Sequence, residues 1–126
     1  MKVTGPYIQY AIARINSILR KAGEIKPGKI VITNPEERDL ALKLMQLNNI
    51  VLRTHEAKEP SIISDYAYTL AQAFSSFYNT SPIMSAATPE QAASRLQIAK
   101  IVRDVLTLLL NLLGIEAPEV MLKKAE

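Results

Sequence analysis

The sequence predicts an all-α fold, a compact bundle of about five helices, on three observations. Only four of 126 residues are glycine, while long stretches carry apolar residues at helical spacing. Helix-start signatures recur, in which a capping side chain is followed by proline and then by acid, at Asn34-Pro35-Glu36-Glu37 and Thr88-Pro89-Glu90. Hydrophobic residues make up 48% of the chain, enough for one packed core at this length. No internal repeat and no linker divides the sequence. Residues 1–126 therefore read as a single domain, with 122–126 a frayed tail.

The first helix is expected from about Thr4 to Ala22. Thr4 caps it, Pro6 lies in its first turn and Gly23 follows its end. Ile8, Ile12, Ile15 and Leu19 form its apolar stripe. Tyr7, Tyr10, Arg14 and Lys21 fall on a separate arc, roughly 60° wide at 100° per residue. Pro27 and Gly28 mark a loop over residues 24–33, in which Ile30-Val31-Ile32 suits a short extended piece. Asn34 caps the second helix, Pro35 is its first residue, and Glu36 and Glu37 complement its dipole. Leu40, Ala41, Leu44, Met45 and Leu47 form its buried face, and Asn48-Asn49 marks a break. A short third helix begins at Ile50-Val51-Leu52 and ends near Glu59-Pro60. Ser61 caps a fourth helix running to about Asn79, with Ile62, Tyr66, Leu70, Ala73, Phe74 and Phe77 as its core stripe. The fifth runs from Pro89 to Leu113, stopped by Gly114. Its second half is apolar nearly all round, which predicts the central position. The segment 115–121 is apolar enough to fold back on the bundle.

Composition excludes several classes. There is no cysteine, hence no disulfide and no thiolate metal site. The longest apolar run, Val105 to Leu113, is far shorter than the roughly 20 residues that span a bilayer. With no signal pattern at the N-terminus, a soluble cytoplasmic protein without a membrane partner is expected. A net charge of +3 and a pI near 9.2 are compatible with a nucleic-acid partner without requiring one.

No catalytic constellation stands out. The single histidine, His55, lies among Arg53, Glu56 and Lys58 and reads as a solvated helix residue. No serine lies in a nucleophile elbow, and four scattered glycines build no phosphate-cradling loop. Glu36, Glu37 and Asp39 read as dipole partners. The tyrosine-and-arginine arc of the first helix is more informative. Exposed there, Tyr7, Tyr10 and Arg14 would combine stacking surfaces with a phosphate-pairing guanidinium, as recognition of unstacked RNA bases requires. The same spacing also allows both tyrosines to pack between helices with their hydroxyls satisfied. Phe74 and Phe77 fall on the apolar stripe and read as core. Arg20, Lys21 and Arg103 read as a solvated charged face that could also steer RNA.

The segment Gly5-Pro6-Tyr7-Ile8-Gln9-Tyr10-Ala11-Ile12-Ala13-Arg14 resembles the Gly-Pro-Tyr-x-Gln-Tyr-x-x-x-Arg signature that opens the C-terminal anticodon-binding (DALR) domain of arginyl-tRNA synthetases. Further matches follow in order. Asn34-Pro35-Glu36-Glu37-Arg38 with Leu40-Ala41-Leu42-Lys43-Leu44 resembles the family's second helix. Tyr66 with Leu70-Ala71-Gln72-Ala73-Phe74-Ser75-Ser76-Phe77-Tyr78 resembles its most recognisable internal helix. Leu112-Leu113-Gly114-Ile115-Glu116-Ala117-Pro118-Glu119-Val120-Met121 resembles its ending. The resemblance spans about Thr4 to Met121. It departs from the family at Val120, where arginine is usual, at Ile12, where many relatives carry a polar residue, and in continuing to Glu126.

The resemblance implies a fold of the anticodon-binding type found in class I aminoacyl-tRNA synthetases. It implies tRNA anticodon-loop recognition as part of arginine–tRNA ligase, with the middle anticodon cytosine as the base recognised. Carried over by position, Tyr7, Tyr10, Arg14, Tyr78 and Met121 are the anticodon-binding residues. ATP-dependent attachment of arginine belongs to a catalytic domain that this segment lacks, so the chain by itself is expected to need no cofactor and to hold no catalytic residue or metal. The implied partners are arginine tRNA and that catalytic domain. A dimer is also allowed if apolar surface near Tyr7 and Ile8 is open. The alternative is a non-catalytic structural or protein-interaction bundle diverged from the synthetase domain.

Overall fold

The computed structural model describes residues 4–23 and 25–114, and among them five helices and no strand. They are α1 (Thr4–Lys21), α2 (Pro35–Met45), α3 (Leu47–Ala57), α4 (Pro60–Thr80) and α5 (Pro89–Leu112). Residues 115–126, which include the expected fold-back segment and frayed tail, lie outside the described residues.

α1 buries Ile8, Ile12, Ile15 and Ile18, and Ala22 just past its end is buried too; Leu19, expected in the stripe, is only partly buried. At 100° per residue Leu19 falls within the stripe of Ile8, Ile12 and Ile15 while Ile18 lies at its edge, so the deeper burial of Ile18 comes from the neighbouring helices and not from the period of α1. Arg20 and Lys21 complement the negative C-terminal end of this helix. The loop that follows has no regular structure, and the expected extended piece is held by α5 rather than by a strand. The Val31 N–H donates to Ser94 Oγ at 2.8 Å, and that hydroxyl donates to the Val31 carbonyl at 3.2 Å. The Gly28 N–H donates to the Ala93 carbonyl at 3.1 Å. A Cβ on Gly28 would stand 3.0 Å from Ala93 Cβ, so the loop's close approach to α5 leaves only tight space for a side chain there.

α2 starts in a capping box. The Glu37 N–H donates to Asn34 Oδ1 at 2.8 Å, and the Asn34 N–H donates to Glu37 Oε1. The break between α2 and α3 falls at Gln46 rather than at Asn48-Asn49, and α3 begins at Leu47. Met45, expected on the buried face, lies about 140° around α2 from the buried Leu40 and is 79% exposed. α3 ends on Lys58 in the left-handed region, at φ 55°. A side chain is disfavoured there and glycine is not. Lys58→Gly is therefore expected to stabilise the fold by up to about 1 kcal/mol, read as a higher urea midpoint at unchanged slope.

The hub of the bundle is α4, not α5: it packs against α1, α2, α3 and α5. Its buried residues include Ala67, Ala71 and Ala73 beside Leu70, Phe74 and Phe77, and the small side chains admit neighbours on several sides. Ile62, expected in the stripe, is partly buried, and Ile63 takes the buried place. The buried Tyr66 hydroxyl donates to the Lys43 carbonyl at 2.6 Å, tying α4 to the end of α2; burial pushes its pKa up to about 12. α5 buries Leu106, Leu109 and Leu110, but Leu108 and Leu112 are exposed. The Thr88 hydroxyl accepts the Gln91 N–H at its start, and Gly114 follows its end at φ 79°.

Candidate nucleic-acid interface

α1 and α4 lie side by side and run in the same direction, because contacts pair low numbers with low and high with high. The Tyr7 ring meets Tyr68 at 4.8 Å between centroids, tilted by 46°. Farther along, the Arg14 guanidinium sits over the Tyr78 ring, 5.4 Å from its centroid. Tyr10 lies on the same face of α1 between these two contacts. At 58% exposed it is the most open aromatic of the group. From Tyr7 to Arg14 the helix rises about 10 Å, so the rings and the guanidinium form a ladder along one seam.

The ladder is anchored from beneath. Tyr78 is half-buried and lies parallel to Phe74, with centroids 6.1 Å apart and planes 11° apart. Phe74 in turn meets Phe77 at 5.7 Å. Both phenylalanines are fully buried, as their place on the apolar stripe predicts. Tyr78 is therefore held by the core and presents its remaining surface to Arg14. A cation over a tyrosine face is worth about 0.5–1 kcal/mol at an exposed site, and the guanidinium keeps N–H donors at its edge. An open ring, an oriented guanidinium and a second ring on a rigid support suit an unstacked base with its phosphate.

Of the sequence-expected residues, Tyr7, Tyr10, Arg14 and Tyr78 thus come together on one seam. Met121 lies outside the described residues. Tyr7 is half-buried, and Ile8 is completely buried, so the apolar surface expected around Ile8 is not open. Tyr68 belongs to the seam and was not singled out from the sequence. Its only signal there was its place two residues after Tyr66, pointing off the core stripe. Arg20 and Lys21 are exposed, whereas Arg103 is turned to the bundle, donating to Asn16 Oδ1 at 3.2 Å and pairing with Asp104. His55 is exposed, and no group of side chains among the described residues is placed to hold a metal ion.

The acids at the start of α2 differ from one another. Asp39 is exposed and pairs with Lys43 one turn on. Glu37 is only 1% exposed and is more than a dipole partner. Its Oε1 accepts from the Thr33 N–H at 2.6 Å and hydroxyl at 2.7 Å, and its Oε2 accepts from Arg95 Nε at 2.8 Å. Arg95 also donates to the Pro82 carbonyl at 3.0 Å. Burial pushes the Glu37 carboxyl up, but the Thr33 donors and Arg95 together outweigh it and hold its pKa below the ordinary value. Asn34 Nδ2 donates to the buried Ser81 hydroxyl at 2.6 Å. This network secures the end of α4, three residues beyond Tyr78, to α2 and α5.

An all-α bundle with an aromatic and cationic seam on a rigid core is the class of module that this geometry defines. The DALR anticodon binding domain model matches residues 8–121. The arginine–tRNA ligase of Hyphomonas neptunium is 47% identical over 120 residues, covering 94% of this chain and 20% of the relative. That of Maricaulis maris is 42% identical with the same coverage. The structure of Thermus thermophilus arginyl-tRNA synthetase aligns with a TM-score of 0.84 at 37% identity, over 93% of this chain and 21% of that one. The chain belongs to the DALR anticodon binding domain family. It spans about a fifth of the length of the curated relatives it matches. No helix among the described residues is long and apolar enough to cross a membrane.

Proposed function

We propose that this chain recognises the anticodon loop of arginine tRNA for an arginine–tRNA ligase. Tyr7, Tyr10, Arg14 and Tyr78 form the binding seam, and Met121, which matches the family pattern by position, is a further anticodon contact. The observation that carries the reading is the exposed Tyr10 ring beside an Arg14 guanidinium already oriented over Tyr78. Family membership and the arginine–tRNA ligase relatives support the choice of RNA. In this reading the chemistry, ATP-dependent attachment of arginine, belongs to a catalytic domain outside these 126 residues. This domain supplies affinity and discrimination, and that catalytic domain is its second partner. The alternative, a structural or protein-interaction bundle, covers the tyrosines of α1; the exposed Tyr10 counts against it, and the half-buried Tyr7 does not.

The test is a titration of the chain with arginine-tRNA anticodon stem-loops, comparing the middle cytosine with a single-base change at that position. The expected result is preference for cytosine and an affinity that falls with salt. Tyr10→Ala should weaken binding by about 1–3 kcal/mol, the usual worth of one base stacked on an aromatic ring. Equal affinity for both loops, unchanged in Tyr10→Ala, would count against the assignment.

A further inference from the structure

We propose that the groove between α3 and α4 is a second nucleotide subsite, which takes one unstacked base of the same RNA loop. This inference rests on the RNA-binding reading of the α1–α4 seam and extends it. The groove has a volume of about 540 Å³, within the roughly 300–1,000 Å³ typical of small-ligand sites. Ile50 and Ile62 supply apolar surface, and Tyr66 and Tyr68 supply rings. Tyr66 is buried, with its hydroxyl committed to the Lys43 carbonyl, so it forms an apolar floor and adds no competing polar group. Gln46, Arg53, Asp65, Thr69 and Gln72 line the rim and are exposed, so one carboxylate faces the groove beside the arginine.

That lining matches the chemistry of a nucleobase. A base has two apolar faces and an edge of alternating donors and acceptors. Glutamine amides both donate and accept, and arginine adds fixed paired donors. The position of the groove supports the same ligand. Tyr68 lines it and also meets Tyr7, so a single ring separates the groove from the α1–α4 seam. Tyr10 is less than one helical turn from Tyr7, about 4.5 Å along the axis. Neighbouring unstacked nucleotides could therefore divide between the two sites, one on the Tyr10–Arg14 side and one on the Tyr68 side.

The experiment uses the whole chain and the anticodon stem-loop of an arginine tRNA. The intact loop is compared with a series that carries one abasic nucleotide at each loop position. The protein variants are Gln72→Ala and Arg53→Ala, with Tyr10→Ala as the reference for the seam. All are exposed positions, and circular dichroism confirms that each variant is folded. Gln72→Ala and Arg53→Ala should each weaken binding of the intact loop about 5–10-fold. At one loop position the abasic penalty should disappear in Gln72→Ala, because the two changes remove one contact. That position should differ from the one coupled to Tyr10. If Tyr10→Ala weakens binding but no position couples to Gln72 or Arg53, the second subsite is wrong and the seam stands. If the unaltered chain binds none of the loops, both readings fall.

Discussion

Replacing Arg95 with methionine is expected to destabilise the bundle by about 3–5 kcal/mol, the usual cost of breaking a buried ion pair from one side. Arg95 is 8% exposed, and its Nε reaches Glu37 Oε2 at 2.8 Å. Methionine fills much of the same space but leaves the Glu37 carboxylate buried without its cation and the Pro82 carbonyl without its donor. Urea unfolding followed by circular dichroism measures the loss. The double variant Glu37→Gln, Arg95→Met should recover part of it, because the buried charge is then gone. A loss below about 1 kcal/mol would show that the pair does not secure the fold. The pair also carries a pH signature. The folded-state pKa of Glu37 is lowered, so its contribution is present above the unfolded value, near 4.5, and is lost as pH falls through the folded value. Glu37→Gln should flatten that part of the acid profile.

Phe74→Ala is expected to cost about 3–5 kcal/mol and to damage the seam as well. Phe74 is 1% exposed, and it holds both Phe77 and Tyr78 by ring contacts. Its removal opens a cavity beneath Tyr78, and the ring under the Arg14 guanidinium loses its support. The more informative variant is Phe74→Leu, which retains much of the apolar volume without the parallel ring. It should fold, with a smaller loss of stability, and still bind the anticodon stem-loop more weakly than the unaltered chain. Thermal unfolding and RNA titration on the same sample separate the two effects. Unchanged RNA affinity in a folded Phe74→Leu would mean that Tyr78 needs no aromatic support.

Much of the bundle was legible in the residues because its signals are local. Asn34-Pro35 and Thr88-Pro89 place two helix starts where they are found, since capping and proline's missing N–H act within one turn. Gly114 follows α5 in the left-handed region, as its lack of a side chain allows. The break at Gln46 was harder to place, because neither glycine nor proline marks it. Asn48 and Asn49 are residues a helix tolerates, and both lie inside α3. Met45 was misplaced for a different reason: it lies about 140° from Leu40 around α2, outside the arc that faces the bundle.

The sequence by itself determined that the chain is helical, where its clearest caps lie, and that one face of α1 carries tyrosine and arginine apart from the apolar stripe. These follow from local propensity and the 3.6-residue period. Only the tertiary structure decided that α4 is the hub, since which apolar helix lies at the centre depends on how many neighbours its small residues admit. It also decided that Tyr68 joins the seam, that Tyr78 comes under Arg14, and that Arg95 neutralises Glu37. Those partners are separated by tens of residues, and no local rule pairs them. They meet because burying the apolar stripes brings α1, α2 and α5 against α4, and the polar side chains next to those stripes are carried into contact.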